Sequence, residues 1–121
     1  MIAAELATNP EATTPEAPSP VLTATLKLCA ALADNYARFN PDGVGKGYAP
    51  TFSVEEGRKY LKIIMSTSGN RSAHAFIDRD GNVYKAANWK YPAKGIRYNL
   101  LTDPETCYRN ANWAGGYLYR R

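Results

Sequence analysis

Apolar residues recur at helical spacing near the start of the chain. Val21, Leu22, Leu26, Cys29, Ala30, Leu32, Ala33, Tyr36 and Phe39 form a broad stripe, which predicts an amphipathic helix over residues 21–39. Ser19 is suited to cap its start, Pro20 fits the first helical position, and Asn40-Pro41 ends it. From residue 57 the period changes to two. Strands are expected at about 58–66, 71–78 and 82–89, joined by turns at Ser68-Gly69-Asn70 and Asp80-Gly81. Thr102 or Asp103, followed by Pro104, opens a short helix near 103–111, and Gly115-Gly116 ends the regular structure. The expected fold is α+β: a three-stranded antiparallel β-meander packed on an N-terminal helix, with a short C-terminal helix. Residues 1–20 hold Pro10, Pro15, Pro18 and Pro20 among Ala, Thr and Glu. That composition buries too little apolar surface to offset ordering entropy, so it reads as a disordered-like tail ahead of a single domain over 21–121.

A two-residue turn at Asp80-Gly81 would pair Ile77 with Tyr84 and Phe76 with Lys85. Strand alternation then sorts the side chains into two faces. One holds Leu61, Ile63, Met65, His74, Phe76, Val83, Ala87 and Trp89, and is assigned to the core against helix 21–39. The other holds Tyr60, Lys62, Ile64, Ala75, Ile77, Tyr84, Ala86, Asn88 and Lys90. Rings, lysines and small alanines on one sheet face suit single-stranded nucleic acid, with bases stacked and phosphates on lysines. The alternative is that helix 103–111 covers this face as a second core.

Charge sharpens the first reading. The 121 residues carry a formal charge of +4, unevenly spread. Lys27 and Arg38 stand against Glu5, Glu11, Glu16 and Asp34 in the first forty positions, so the cationic excess belongs to the remainder. The stretch Val83–Leu100, "VYKAANWKYPAKGIRYNL", holds Lys85, Lys90, Lys94 and Arg97 with no carboxylate, and threads Tyr84, Trp89, Tyr91 and Tyr98 between them. Such a basic, aromatic-rich segment favours polyanions; the plain alternative is the solvated basic edge of a small domain.

Enzyme chemistry finds little support. Cys29 and Cys107 lack the spacing of a zinc site and read as two free thiols of a reducing compartment. Gly43-Val44-Gly45-Lys46-Gly47 fails the spacing of a phosphate loop and reads as a turn-rich connection. His74 is the single histidine; the expected pairing sets it beside Met65 and Ala87, as a core or interface residue. Asp78, Asp80 and Asp103 do not converge, because the turn consumes Asp80. No enzyme, cofactor or metal is expected. No apolar run is long enough to span a membrane, and the N-terminus lacks a basic region followed by an apolar one, so a cytosolic protein is expected.

The residues Phe76-Ile77-Asp78, Gly81, Val83-Tyr84-Lys85-Ala86-Ala87, Trp89-Lys90, Pro92-Ala93-Lys94 and Arg97 carry a resemblance. Over about residues 57–101 the chain resembles a group of small proteins encoded by tailed bacteriophages. The resemblance implies a viral origin and a setting in the host cytoplasm or the virion, and no chemistry.

The expected function is a non-enzymatic accessory protein that binds nucleic acid, single strands preferred. Tyr60, Lys62, Tyr84, Lys85, Trp89, Lys90, Lys94 and Arg97 would supply stacking and phosphate contacts. A second reading is a protein-binding part, either a virion component or an inhibitor of a host protein, since Tyr- and Trp-rich surfaces with arginine suit protein hot spots. A third is a sponge for a small anionic nucleotide, with the same groups gathered in a pocket.

Overall fold

The computed structural model describes residues 19–42, 47 and 49–119. The proline-rich tail over residues 1–18 and the glycine-rich stretch over 43–46 lie outside the described residues.

Helix α1 spans Pro20–Phe39. The Ser19 side chain accepts a hydrogen bond from the Leu22 N–H at 3.2 Å, and Pro20 occupies the first turn, where no N–H is needed. Asn40 closes the helix by donating its backbone N–H to the Tyr36 carbonyl at 2.8 Å. The buried stripe is Val21, Thr25, Leu28, Cys29, Leu32 and Tyr36. It is narrower than the apolar pattern predicts: Leu26 is 48% exposed and Phe39 69%. Thr25 takes the buried position instead, because its hydroxyl donates to the Val21 carbonyl at 2.7 Å and leaves no polar group unsatisfied.

The sheet has five antiparallel strands in sequential order, not three: β1 (Thr51–Glu56), β2 (Tyr60–Thr67), β3 (Asn70–Asp78), β4 (Asn82–Lys85) and β5 (Tyr98–Asn99). The two added strands lie at the edges. β1 alternates with only Phe52 and Val54 apolar, so its pattern is short and weak. β5 has two residues, below any periodic signal. The last predicted strand ends early, at Lys85 rather than at residue 89.

Both turns differ in detail from the expected ones. Thr67 pairs with Asn70, so Ser68-Gly69 is a two-residue turn with φ of 52° and 85° at its centre. Ile77 pairs with Val83 and Phe76 with Tyr84, so the second connection has three residues, Arg79-Asp80-Gly81. The predicted pairings Ile77–Tyr84 and Phe76–Lys85 are therefore shifted by one. A bulge adds a second shift: Ile63 faces Ala75 while Ile64 faces Ala73, leaving His74 as the extra residue. The outcome exchanges the faces of β3. Ala75 and Ile77 point into the core, and Phe76 points to the outer face.

Helix α2 (Pro104–Asn110) and a 3-10 turn (Gly116–Tyr119) follow β5. Asp103 is the residue before α2, and its carboxylate accepts from the Thr106 hydroxyl at 2.7 Å. Tyr108 donates its hydroxyl to the Ala24 carbonyl at 2.9 Å, which ties α2 to α1. Cys107 and Ala111 thus join the same core as Leu28, Leu32, Leu61, Ile63 and Ile77. The helix does not cover the outer face of the sheet. The chain end is also core: Tyr117 and Leu118 are buried beyond the Gly115-Gly116 pair that was expected to end regular structure. The result is two layers, with both helices and the 3-10 turn on one face of the sheet. Neither Cys29 nor Cys107 forms a disulfide, and burial pushes the Cys29 thiol up to about 11.

Candidate nucleic-acid interface

The face turned away from the helices carries Tyr60, Lys62, Ile64, Phe76 and Tyr84. Their rings meet edge to face: Tyr60 with Phe76 at 5.8 Å between centroids, and Tyr60 with Tyr84 at 6.1 Å. Asp78 anchors the end of this row. Its carboxylate accepts from the Tyr84 hydroxyl at 2.9 Å, the Asn82 side chain at 3.1 Å, and the N–H groups of Asp80 and Asn82. Burial alone would raise this carboxyl. The hydrogen bonds outweigh burial and hold it below its ordinary value. Burial, with the bond to Asp78, pushes the Tyr84 phenol up to about 12. Tyr84 is therefore a fixed neutral ring, and Asp78 is consumed internally.

Beyond β4 the chain folds back on itself. The Ala87 N–H donates to the Tyr91 carbonyl at 2.9 Å, and the Asn88 side chain accepts from the N–H groups of Lys90 and Tyr91 at 2.8 and 2.9 Å. Asn88 makes this tight turn because its amide oxygen can bind the backbone two and three residues on. Ala86 bridges Pro92, and the Ala93 N–H donates to the Lys85 carbonyl at 2.7 Å. Trp89 and Lys90 stand at the tip of a short hairpin, not in a strand.

The Trp89 ring folds over the outer face, the reverse of its predicted place in the core. Lys62 Nζ lies 3.8 Å from its centroid, and the Arg71 guanidinium carbon 5.4 Å. Beneath that ring Lys62 is only 12% exposed, and Glu55 stands 3.5 Å from its ammonium. Trp89 itself remains 39% exposed, and Tyr91 is 64% exposed.

The eight predicted site residues therefore divide. Tyr60, Lys62, Tyr84 and Trp89 come together on the outer face, with Lys62 as a buried support beneath Trp89. Lys90 and Lys94 are exposed on the hairpin and the loop after it. Lys85 alternates to the other face, with its ammonium 4.8 Å from the Tyr119 ring centroid. Arg97 is spent on structure: Nε donates to the Leu118 carbonyl at 2.7 Å, and Nη1 to the carbonyls of Lys94 and Gly95, each at 2.9 Å. Two residues were missed. Arg71 follows the Ser68-Gly69 turn, and its reach to Trp89 depends on the bulge at His74. Tyr91 could have been found from the turn chemistry of Asn88.

The chain is a small two-layer α+β protein, with a helical layer on one side of the sheet and a cationic aromatic hairpin on the other. The chain belongs to a family of unknown function (DUF7717), whose model matches residues 6–120. That match takes in α1, the five strands, α2 and the 3-10 turn. No curated protein and no solved structure matches the chain. Among the described residues no helix is long and apolar enough to cross a membrane, and no cluster of His, Cys, Asp and Glu could hold a metal ion.

Proposed function

We propose that this protein binds single-stranded nucleic acid on the Trp89–Tyr91 hairpin tip and the adjoining outer sheet face, without enzymatic activity. One observation carries the reading. Two partly exposed rings, Trp89 and Tyr91, flank Lys90 on a rigid turn, with Arg71 beside Trp89 and Lys94 a few residues on. Unpaired bases present π-faces to such rings, at about 1–3 kcal/mol per stacked base, while duplex bases do not. Tyr60 and Tyr84 extend the platform along the sheet. The resemblance over residues 57–101 supports an accessory role in phage infection, in the host cytoplasm.

The test is a fluorescence-anisotropy titration of a labelled single-stranded DNA oligomer at two salt concentrations, with duplex DNA and RNA as comparators. Binding should favour single strands and weaken steeply with salt, because cations at the tip displace counterions from the strand. Lys90→Glu combined with Lys94→Glu should abolish it. Binding that ignores salt, or survives that double change, sinks the proposal.

A protein partner is the second reading. The same loop exposes Ile96 as well as Tyr91, and an aliphatic side chain there serves a protein contact better than a strand. Capture of a host protein that is insensitive to salt and lost in Tyr91→Ala with Ile96→Ser would favour it.

A further inference from the structure

A cleft of about 190 Å³ opens between the β3 bulge and the C-terminal 3-10 turn. His74, Lys85, Trp113 and Tyr119 line it, and Trp89 does not. Three features mark it as built for a guest. Lys85 occupies a core-side position of β4, opposite Ala75, and is half-buried there. It forms no ion pair among the described residues, and its ammonium faces the Tyr119 ring, 4.8 Å from the centroid, rather than a described carboxylate. His74 is the extra residue of the bulge, a device that re-aims side chains near functional sites. Its Nε2 is 2.9 Å from the Tyr117 hydroxyl, while Nδ1 makes no hydrogen bond among the described residues. Two aromatic side chains, Trp113 and Tyr119, also line it. Tyr36 meets the Trp113 ring edge-on at 5.0 Å, and the Trp113 N–H of the backbone donates to Asn35 at 3.1 Å, so this wall is held from α1.

The size limits the guest. Sites for drug-sized ligands run from roughly 300 Å³ upward. A cavity of roughly 150 Å³ is enough for one benzene ring. The cleft therefore suits one ring with a small substituent. Among the described lining residues Lys85 supplies the charge, and it is positive.

We propose that this cleft is a ligand site for a single aromatic ring carrying one anionic group, with the ring against Trp113 and Tyr119, the anion on Lys85, and a directional hydrogen bond to His74. Such a guest comes from two chemical sources, an aryl phosphate or an aryl carboxylate. The site is separate from the hairpin tip and does not depend on strand binding there. Burial lowers the His74 imidazole to about 4, so at neutral pH it offers a hydrogen bond without charge.

The chain has two tryptophans, so Trp89→Phe leaves Trp113 as the sole indole reporter. Phenyl phosphate and benzoate are titrated separately into that variant and followed by tryptophan fluorescence. Ligand-observed NMR on the unsubstituted protein runs in parallel. At least one anion should bind saturably. Lys85→Met should weaken it about tenfold or more, since a hydrogen bond to a charged group is lost. Lys90→Glu should leave it unchanged. Binding of phenyl phosphate alone assigns the phosphate source, and binding of benzoate alone assigns the carboxylate. Absence of saturable binding by both anions in both measurements overturns the site. So does unchanged affinity in a folded Lys85→Met protein. Loss of strand binding in Lys90→Glu with the cleft still filled would separate the two sites.

Discussion

Lys62 Nζ lies 3.8 Å from the centroid of the Trp89 ring, across the width of β3. Lys62 belongs to β2, and Trp89 to the hairpin that follows β4. The contact holds the hairpin down on the sheet and sets a sheet lysine beneath the Trp89 ring. Phe76 supports the arrangement, with Lys62 Nζ 5.8 Å from its ring centroid.

Removing the ring should separate binding from folding. Trp89→Ala is expected to cost about 1–3 kcal/mol of single-strand affinity through the lost stack. It should cost about 1 kcal/mol of stability through the lost cation–π contact. Anisotropy titration and urea unfolding measure the two quantities on one sample. A large stability loss with unchanged strand affinity would make Trp89 a structural lid.

His74 gives the fold a definite acid sensitivity. Its folded pKa is lowered from 6.5 to about 4, so the unfolded chain binds a proton more readily between those values. Stability is therefore full above about pH 6.5, falls as pH drops, and levels off below about 4. At 1.36 kcal/mol per pKa unit the loss is about 3 kcal/mol. Urea midpoints across this window should fall less steeply in His74→Gln than in the unsubstituted protein. Identical slopes would remove His74 from the account.

Asp78 and Tyr84 should titrate as a linked pair. Asp78→Ala leaves the Tyr84 hydroxyl and the Asn82 groups without their acceptor, at a cost of about 1–3 kcal/mol. The Tyr84 phenol, now at about 12, should move down toward 10 without reaching it, because burial is its larger cause. Ultraviolet difference titration, with Tyr84→Phe to identify the signal, follows the shift.

Two glycines at turns should respond unequally. Gly81 has φ of 88°, and a Cβ there would stand 2.7 Å from the Leu101 side chain and 3.1 Å from its backbone N. Gly81→Ala should cost about 1–3 kcal/mol from strained φ alone, with the Leu101 clash added. Gly69 has φ of 85° and open space at the same position. Gly69→Asn should cost less, since Asn tolerates positive φ better than most residues and no atom crowds its Cβ. Thermal melts of the two variants make the comparison. Equal losses would mean that packing on Leu101 matters little.

Local chemistry was legible wherever it acts within a few residues. The cap at Ser19, the proline at the first helical position, the stop at Asn40 and the turn glycines all follow from short-range sterics and hydrogen bonding. So did the inward set of β2, Leu61 and Ile63, because alternation within one strand needs no partner. What the sequence could not decide was register. A three-residue connection at Arg79–Gly81 and an extra residue at His74 each shift the pairing by one, and each shift exchanges faces. That is why Phe76 was assigned inward and Ile77 outward, against the structure. The edge strands β1 and β5 exist only because β2 and β4 offer them backbone partners. The basic stretch was visible as composition, yet its division was tertiary. Tertiary contacts place Lys62 under Trp89, Lys85 beside Tyr119 and Arg97 on the Leu118 carbonyl, leaving Lys90 and Lys94 for solvent. A linear pattern counts charges; only the folded backbone decides which of them already have partners.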